Sequence, residues 1–113
     1  MHKQGDILLV PLPFSDLSSS KRRPVLVLSK LAYNNTTADL IVVAVTSKTE
    51  DRPYSIAFSN DDMEDGRLRM DSLIRADKIY TLSQDLIVKR FGKVKPDTVT
   101  KVKLKILELM DEK

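Results

Sequence analysis

Most of the chain alternates short apolar runs with polar or proline-bearing segments, and only its last part changes period. Gly5-Asp6 precedes Ile7-Leu8-Leu9-Val10, which predicts a first buried strand. Pro11 and Pro13 should end that strand or confine it to an edge, because proline donates nothing to a ladder. Residues 14–22, Phe-Ser-Asp-Leu-Ser-Ser-Ser-Lys-Arg, read as a polar, mobile loop before a second strand over residues 24–29. Asn34-Asn35-Thr36-Thr37 reads as a turn. Residues 39–46 then carry the densest β-branched run, Ile-Val-Val-Ala-Val-Thr, and are expected to form the central strand. Residues 54–58 alternate as a half-exposed strand would, Asp61 to Gly66 reads as an acidic turn, and Ser72-Leu73-Ile74 as a further strand. Several short strands in succession predict a small barrel.

The period changes near residue 83. Ser83 is placed to cap a helix running to Arg90, with Leu86 and Ile87 inward and Gly92 ending it. From Pro96, well suited to a first helical position, Val99, Val102, Ile106 and Leu109 recur at three- and four-residue steps. Lys101, Lys103 and Lys105 fall largely off that face. At 113 residues, with no repeat or linker, the chain is expected to be one mainly-β domain over residues 1–113, closed by a C-terminal helix.

Composition removes most chemistries. Without cysteine there is no disulfide framework and no thiolate metal site. His2 is the only histidine and stands at the N-terminus, which argues against a Ser-His-Asp relay or paired histidines. Asp61-Asp62-Met63-Glu64-Asp65 lacks the alternating ligands of a calcium loop, so no metal is expected there. Glycine occurs only at positions 5, 66 and 92, which leaves no phosphate-cradling loop, and no cofactor is expected. The longest apolar run, Leu40 to Val45, is too short to span a bilayer and no export region is apparent; a cytoplasmic protein without membrane contact is the expectation.

Nineteen Lys and Arg against sixteen Asp and Glu give a net charge of +3, a mild bias toward polyanions. Placement sharpens it. Acids concentrate at residues 61–65 and the C-terminus, whereas bases gather at 21–23, 67–78 and 89–105. The chemical tools that remain are Arg, Lys, carboxylates and hydroxyls, and RNA cleavage suits them. RNA carries its own nucleophile, so the protein need supply only a base, cations for the charge growing on phosphate, and a donor for the leaving oxygen. Arginine fits the cationic part because its planar fork holds two phosphate oxygens at once.

Gly5-Asp6-Ile7, then residues 21–29 (Lys-Arg-Arg-Pro-Val-Leu-Val-Leu-Ser), then Val45-Thr46-Ser47 resemble, in order and spacing, the MazF/PemK (Kid) family of toxin ribonucleases. Residues 71–82 look like that family's later strand and turn, and Phe91-Gly92-Lys93-Val94 like the segment before its C-terminal helix. The resemblance implies a small SH3-like β-barrel with a C-terminal helix, of the MazF/PemK/CcdB type. It also implies a homodimer, metal-independent cleavage of single-stranded RNA to a cyclic phosphate and a 5′-hydroxyl, and restraint by an acidic antitoxin. Operator DNA would be met only through the antitoxin complex.

Carried over by position, Arg23 matches the arginine of the Arg-Pro motif and Thr46 the threonine ending the third strand, both tied to catalysis in the family. Arg75 and Asp77 match an Arg-x-Asp pair given acid and base roles in PemK-like members, and i and i+2 side chains on a strand share a face. Guanidinium hardly deprotonates, so phosphate stabilisation suits Arg75 better; which group is acid and which base stays open. Lys21, Arg22, Ser47, Arg67, Arg69 and Lys78 are the RNA-binding candidates. Phe14 and Tyr80 could stack bases, although aromatics this scarce are more often core. The competing reading is a non-catalytic barrel of the same fold that binds nucleic acid or poisons a protein target, as CcdB-type gyrase toxins do.

Overall fold

In the computed structural model, which describes residues 2–13 and 20–112, seven strands pair into one curled antiparallel sheet, a half-barrel with the C-terminal helix packed on one face. The strands are β1 (Asp6–Pro13), β2 (Ser20–Val27), β3 (Asp39–Thr46), β4 (Ser55–Phe58), β5 (Met63–Gly66), β6 (Ser72–Ser83) and β7 (Lys89–Val94). The helices are α1 (Leu31–Thr36) and α2 (Pro96–Met110). Across the sheet the order is β4-β6-β3-β2-β1-β7-β5. The expected mainly-β barrel with a C-terminal helix is what forms.

Continuous apolar runs in β1, β2 and β3 have a simple cause: both faces of these strands are buried. Ile7, Leu26, Val43, Val45 and Ile74 pack with Ile56, Phe58, Met63, Val94 and the helix residues Val99 and Val102. Their alternates Leu8, Val10, Val25, Val27, Leu40 and Val42 form a second apolar layer with Leu12 and Leu82. Helix α2 buries Thr98, Val99 and Val102, while Leu104, Leu107 and Met110 stay exposed. No helix among the described residues is long and apolar enough to cross a membrane.

Several sequence expectations change. Strand β1 runs through both prolines. The Val88 N–H donates to the Leu9 carbonyl at 2.8 Å, so every second residue of β1 turns its backbone toward β7. Pairing with β7 stops at Leu9, and the N–H groups that Pro11 and Pro13 lack had no ladder bond to make. Strand β2 starts at Ser20, which moves Lys21-Arg22-Arg23 from the expected loop into a strand; positions 14–19 lie outside the described residues. The expected turn at 34–37 is partly helix α1, held by Asn34, which is buried and donates to the carbonyls of His2 and Ser29 at 3.0 Å each. Strand β3 is interior, between β2 and β6, but the middle place among the seven belongs to β2.

The acidic segment is a single 3-10 turn, Asn60–Asp62, followed by strand β5. Strand β6 extends twelve residues rather than three. The expected helix over 83–90 is absent: Ser83 accepts from the Asp85 N–H, capping one 3-10 turn (Gln84–Leu86), and β7 comes next. Its residues gain a ladder on each side, with β1 and β5, which an isolated helix this short could not match. Gly92 therefore ends no helix. It faces Gly66 across β5 and β7, where a Cβ on either would strike the other strand's backbone.

Candidate functional site

Pro24 shapes the site. Leu9 pairs with Pro24 and turns its own backbone toward β7, so the N–H that Pro24 lacks would have pointed at β3. The β2–β3 ladder stops at Val25↔Ala44, and beyond it the two strands continue without pairing. Arg23 and Thr46 stand beyond that end. Val25 pairs with Ala44 and Ala44 with Arg75, forming a row across three strands. Side chains two residues apart share a face, so Arg23, Thr46 and Arg75 project from the same side of the sheet. Thr46 pairs with Leu73 and is thus diagonal to Arg75, at roughly 7–8 Å for such neighbours.

Asp77 joins them through an irregularity. The β3–β6 register jumps from Val43↔Ile79 to Ala44↔Arg75, leaving Ala76-Asp77-Lys78 outside the ladder. Within β6, Asp77 meets Arg75 in a two-pronged ion pair: Nε donates to Oδ1 and Nη2 to Oδ2, each at 3.0 Å. The hydrogen bonding from Arg75 holds the Asp77 carboxyl below the usual aspartate range, outweighing the upward push of its partial burial. The guanidinium keeps its remaining N–H groups, and their direction is fixed by the carboxylate. Lys78, next to this pair, is exposed.

At the unpaired end of β2 and β3 lies a cleft of about 440 Å³, which Arg23 lines together with residues of the opposite face. Pro24, Val45, Leu68 and Phe91 supply its apolar lining, Arg22, Arg23, Arg67, Arg69 and Lys89 its cations, and Ser47, Met70 and Ser72 the remainder. The expected RNA-binding residues thus divide. Arg22, Ser47, Arg67 and Arg69 meet in this cleft together with Arg23, whereas Lys21 and Lys78 do not line it; nor do Thr46, Arg75 or Asp77. Among the described residues no carboxylate lines it. None lies within ion-pair distance of Arg22, Arg67, Arg69 or Lys89 there. Lys89, Phe91 and Met70 were not foreseen. The Lys89 ammonium sits 4.9 Å from the centre of the Phe91 ring. Tyr80 is half-buried and packs against the second apolar layer, and Phe14 lies outside the described residues.

A separate set of charges ties strands together. Asp6 is 2% exposed, accepts from the Lys3 N–H at 2.9 Å and from Arg90 Nε at 3.2 Å, while Arg90 Nη2 reaches Asp65 at 3.0 Å. Glu64 lies 3.6 Å from Lys93. Glu64 and Asp65 therefore tie β5 to β7, while Asp62 accepts from the Ser59 N–H at 2.9 Å. No group of three or more metal-holding side chains occurs among the described residues.

The fold has many solved relatives. An endoribonuclease from a mycobacterial species, in complex with its cognate antitoxin, matches at 23% identity with a TM-score of 0.79, covering 100% of both chains. MazF in a MazE-MazF complex from Deinococcus radiodurans matches at 22% identity and TM-score 0.78, over 96% of this chain and 95% of that one. The Mycobacterium tuberculosis toxin MazF-mt6 matches at 18% identity and TM-score 0.75, over 96% and 98%. No protein of curated function matches by sequence. The model of the PemK-like, MazF-like toxins of type II toxin-antitoxin systems matches residues 3–110, nearly the whole chain, and the protein belongs to that family.

Proposed function

We propose that this protein is a toxin endoribonuclease that cuts single-stranded RNA without a metal ion, leaving a cyclic phosphate and a 5′-hydroxyl. The observation that carries the reading is the placement of Arg23, Thr46 and Arg75 on one face of neighbouring strands where β2 and β3 separate, with Asp77 locked to Arg75. Arg23 and the free edge of Arg75 hold the non-bridging phosphate oxygens, where negative charge grows. The 2′-oxygen bonds to phosphorus as the bond to the 5′-oxygen breaks. The 2′-hydroxyl proton passes to Asp77, whose carboxylate has lone pairs beyond the two that Arg75 uses. The 5′-oxygen takes its proton from water, with the Thr46 hydroxyl donating to the developing charge. Asp77 thus both orients Arg75 and accepts the proton, and Arg75 serves as a cation rather than an acid.

Family membership and the solved antitoxin complexes support a cognate antitoxin as the partner, and we propose an acidic one, acting on a homodimer. The decisive experiment incubates purified protein with mixed-sequence single-stranded RNA in EDTA and maps the ends. Cyclic phosphates from the wild type and none from Arg23→Ala are expected. Intact RNA, or cleavage that needs Mg²⁺, sinks the mechanism; growth arrest that survives Arg23→Ala with intact RNA favours a non-catalytic poison.

A further inference from the structure

We propose that Tyr54 is a positioning residue for the Arg75–Asp77 pair, its left-handed backbone pinning Ala76 and keeping the flank of Asp77 open; this rests on the RNA-cleaving reading above. Among the described residues Tyr54 is the one non-glycine with a positive φ, +58°. An aromatic residue in that conformation is strained, and such strain persists only where the surroundings enforce it. Here they do. Pro53 and Tyr54 form a turn before β4, and the Ser55 hydroxyl closes it by donating to the Arg52 carbonyl at 2.6 Å. Proline followed by a positive φ is the pattern of a type II turn, whose third position suits Gly or Asn rather than Tyr.

This turn meets β6 at the ion pair. Strand β4 pairs with β6 from Phe58↔Ser72 to Ser55↔Arg75. One residue further, the Tyr54 carbonyl accepts from the Ala76 N–H at 3.0 Å, and the chain then leaves β6. Ala76 stands between the two members of the pair, is fully buried in the core, and is the first residue that the register jump drops from the β3 ladder. Its side chain is anchored by the core and its N–H by Tyr54. Had β4 run straight on, Pro53 would stand opposite Asp77. The turn removes that neighbour, and the jump removes a β3 partner on the other side. The carboxylate therefore keeps open flanks while the residue beside it is fixed. An extended φ at position 54 would either bring the chain alongside Asp77 or carry the carbonyl away from Ala76. The requirement lies in a backbone dihedral, so it predicts a pattern across substitutions rather than the loss of one side-chain group.

The test compares Tyr54→Gly and Tyr54→Asn, which accept a positive φ, with Tyr54→Val and Tyr54→Thr, whose β-branched side chains resist it. Rates on a fluorogenic RNA are taken at a temperature where circular dichroism shows each variant folded. The β-branched variants should lose about 100-fold in kcat with KM kept within about twofold, and the Gly and Asn variants should recover wild-type kcat. Two NMR signals report the geometry without substrate. Exchange of the Ala76 amide should be slow in wild type and Tyr54→Gly and fast in the β-branched pair. The Asp77 carboxyl should titrate below the ordinary aspartate range in the first two and move up toward it in the others, because the Arg75 hydrogen bonds that depress it are misaligned. Wild-type kcat in Tyr54→Val or Tyr54→Thr overturns the proposal. So does a Tyr54→Gly enzyme as slow as those two, which assigns the effect to the phenol ring instead. A wild type that cleaves no RNA refutes the underlying reading, and the amide and carboxyl signals then still decide whether Tyr54 positions the pair.

Discussion

The Arg75–Asp77 pair makes a pH prediction that separates this site from one run by a tuned base. A general base works in its deprotonated form, and its pKa sets the acid limb of the rate profile. In Asp77 that pKa lies below the ordinary aspartate value of about 3.9, because Arg75 stabilises the charged form. The carboxylate is fully ionised from neutrality down to about pH 5 by that reference value, so kcat/KM should stay level across the interval. Asp77→Asn keeps one acceptor oxygen but removes the charge and the proton-accepting site, and should lower kcat by about 10²–10⁴ at every pH in that range. Stability moves less. One of the two 3.0 Å hydrogen bonds is lost and the other loses its charged acceptor, in a pair still 18% and 30% exposed, so the cost should stay about 1.5 kcal/mol. With a depressed folded-state pKa, that contribution is present above the unfolded value and disappears as pH falls through the folded one. Wild type and Asp77→Asn should therefore differ in melting temperature at neutral pH and converge below about pH 3.9. Initial rates on a fluorogenic RNA at constant ionic strength decide the first point. An acid limb near pH 6 that vanishes in Asp77→Asn would refute the reasoning, since it requires a raised pKa.

Thr46→Val keeps shape but removes the hydroxyl; it should lower kcat about 10²-fold with an unchanged circular dichroism spectrum, and a fully active variant removes Thr46 from the mechanism. Gly66→Ala places a methyl against the Phe91 carbonyl at φ +77°, so β5 must part from β7. The expected cost is about 3 kcal/mol, seen as a fall in Tm on the order of 10 °C, and an unchanged Tm contradicts the close approach. Asn34→Ala deprives buried Ser29 of its 2.5 Å side-chain partner and leaves the His2 and Ser29 carbonyls without that donor. A loss of about 2–3 kcal/mol is expected in urea titration, with RNA cleavage retained at temperatures where the variant is folded.

Sequence reasoning worked where a residue's neighbours in the chain are also its neighbours in the fold. The apolar runs of β1, β2 and β3 are buried on both faces, and the stripe through Val99 and Val102 faces the core, so local patterning and tertiary burial agree. Residues 83–94 show the opposite case. Ser83 does cap a turn, as its position promised, but the conformation of residues 89–94 is decided by partners far away in the chain, β1 and β5, and no local period announces a strand wedged between them. That misread segment contains Lys89, which as part of a helix gave no reason to look for a cleft.

The same logic explains why the catalytic candidates were legible and their arrangement was not. Arg23 and Pro24 are adjacent in sequence, and the N–H that proline removes is a fixed property of the residue. Which strand loses the bond depends on register, and here it is β3, whose end loses its β2 partner while Thr46 still pairs with β6. The Arg-x-Asp spacing implied a shared face on a regular strand. Both stand on β6 and their side chains do meet; what the spacing did not announce is the register shift against β3 beside them. A register shift beside a carboxylate and an arginine, next to a proline that stops a ladder, places two local defects in the sheet on one face.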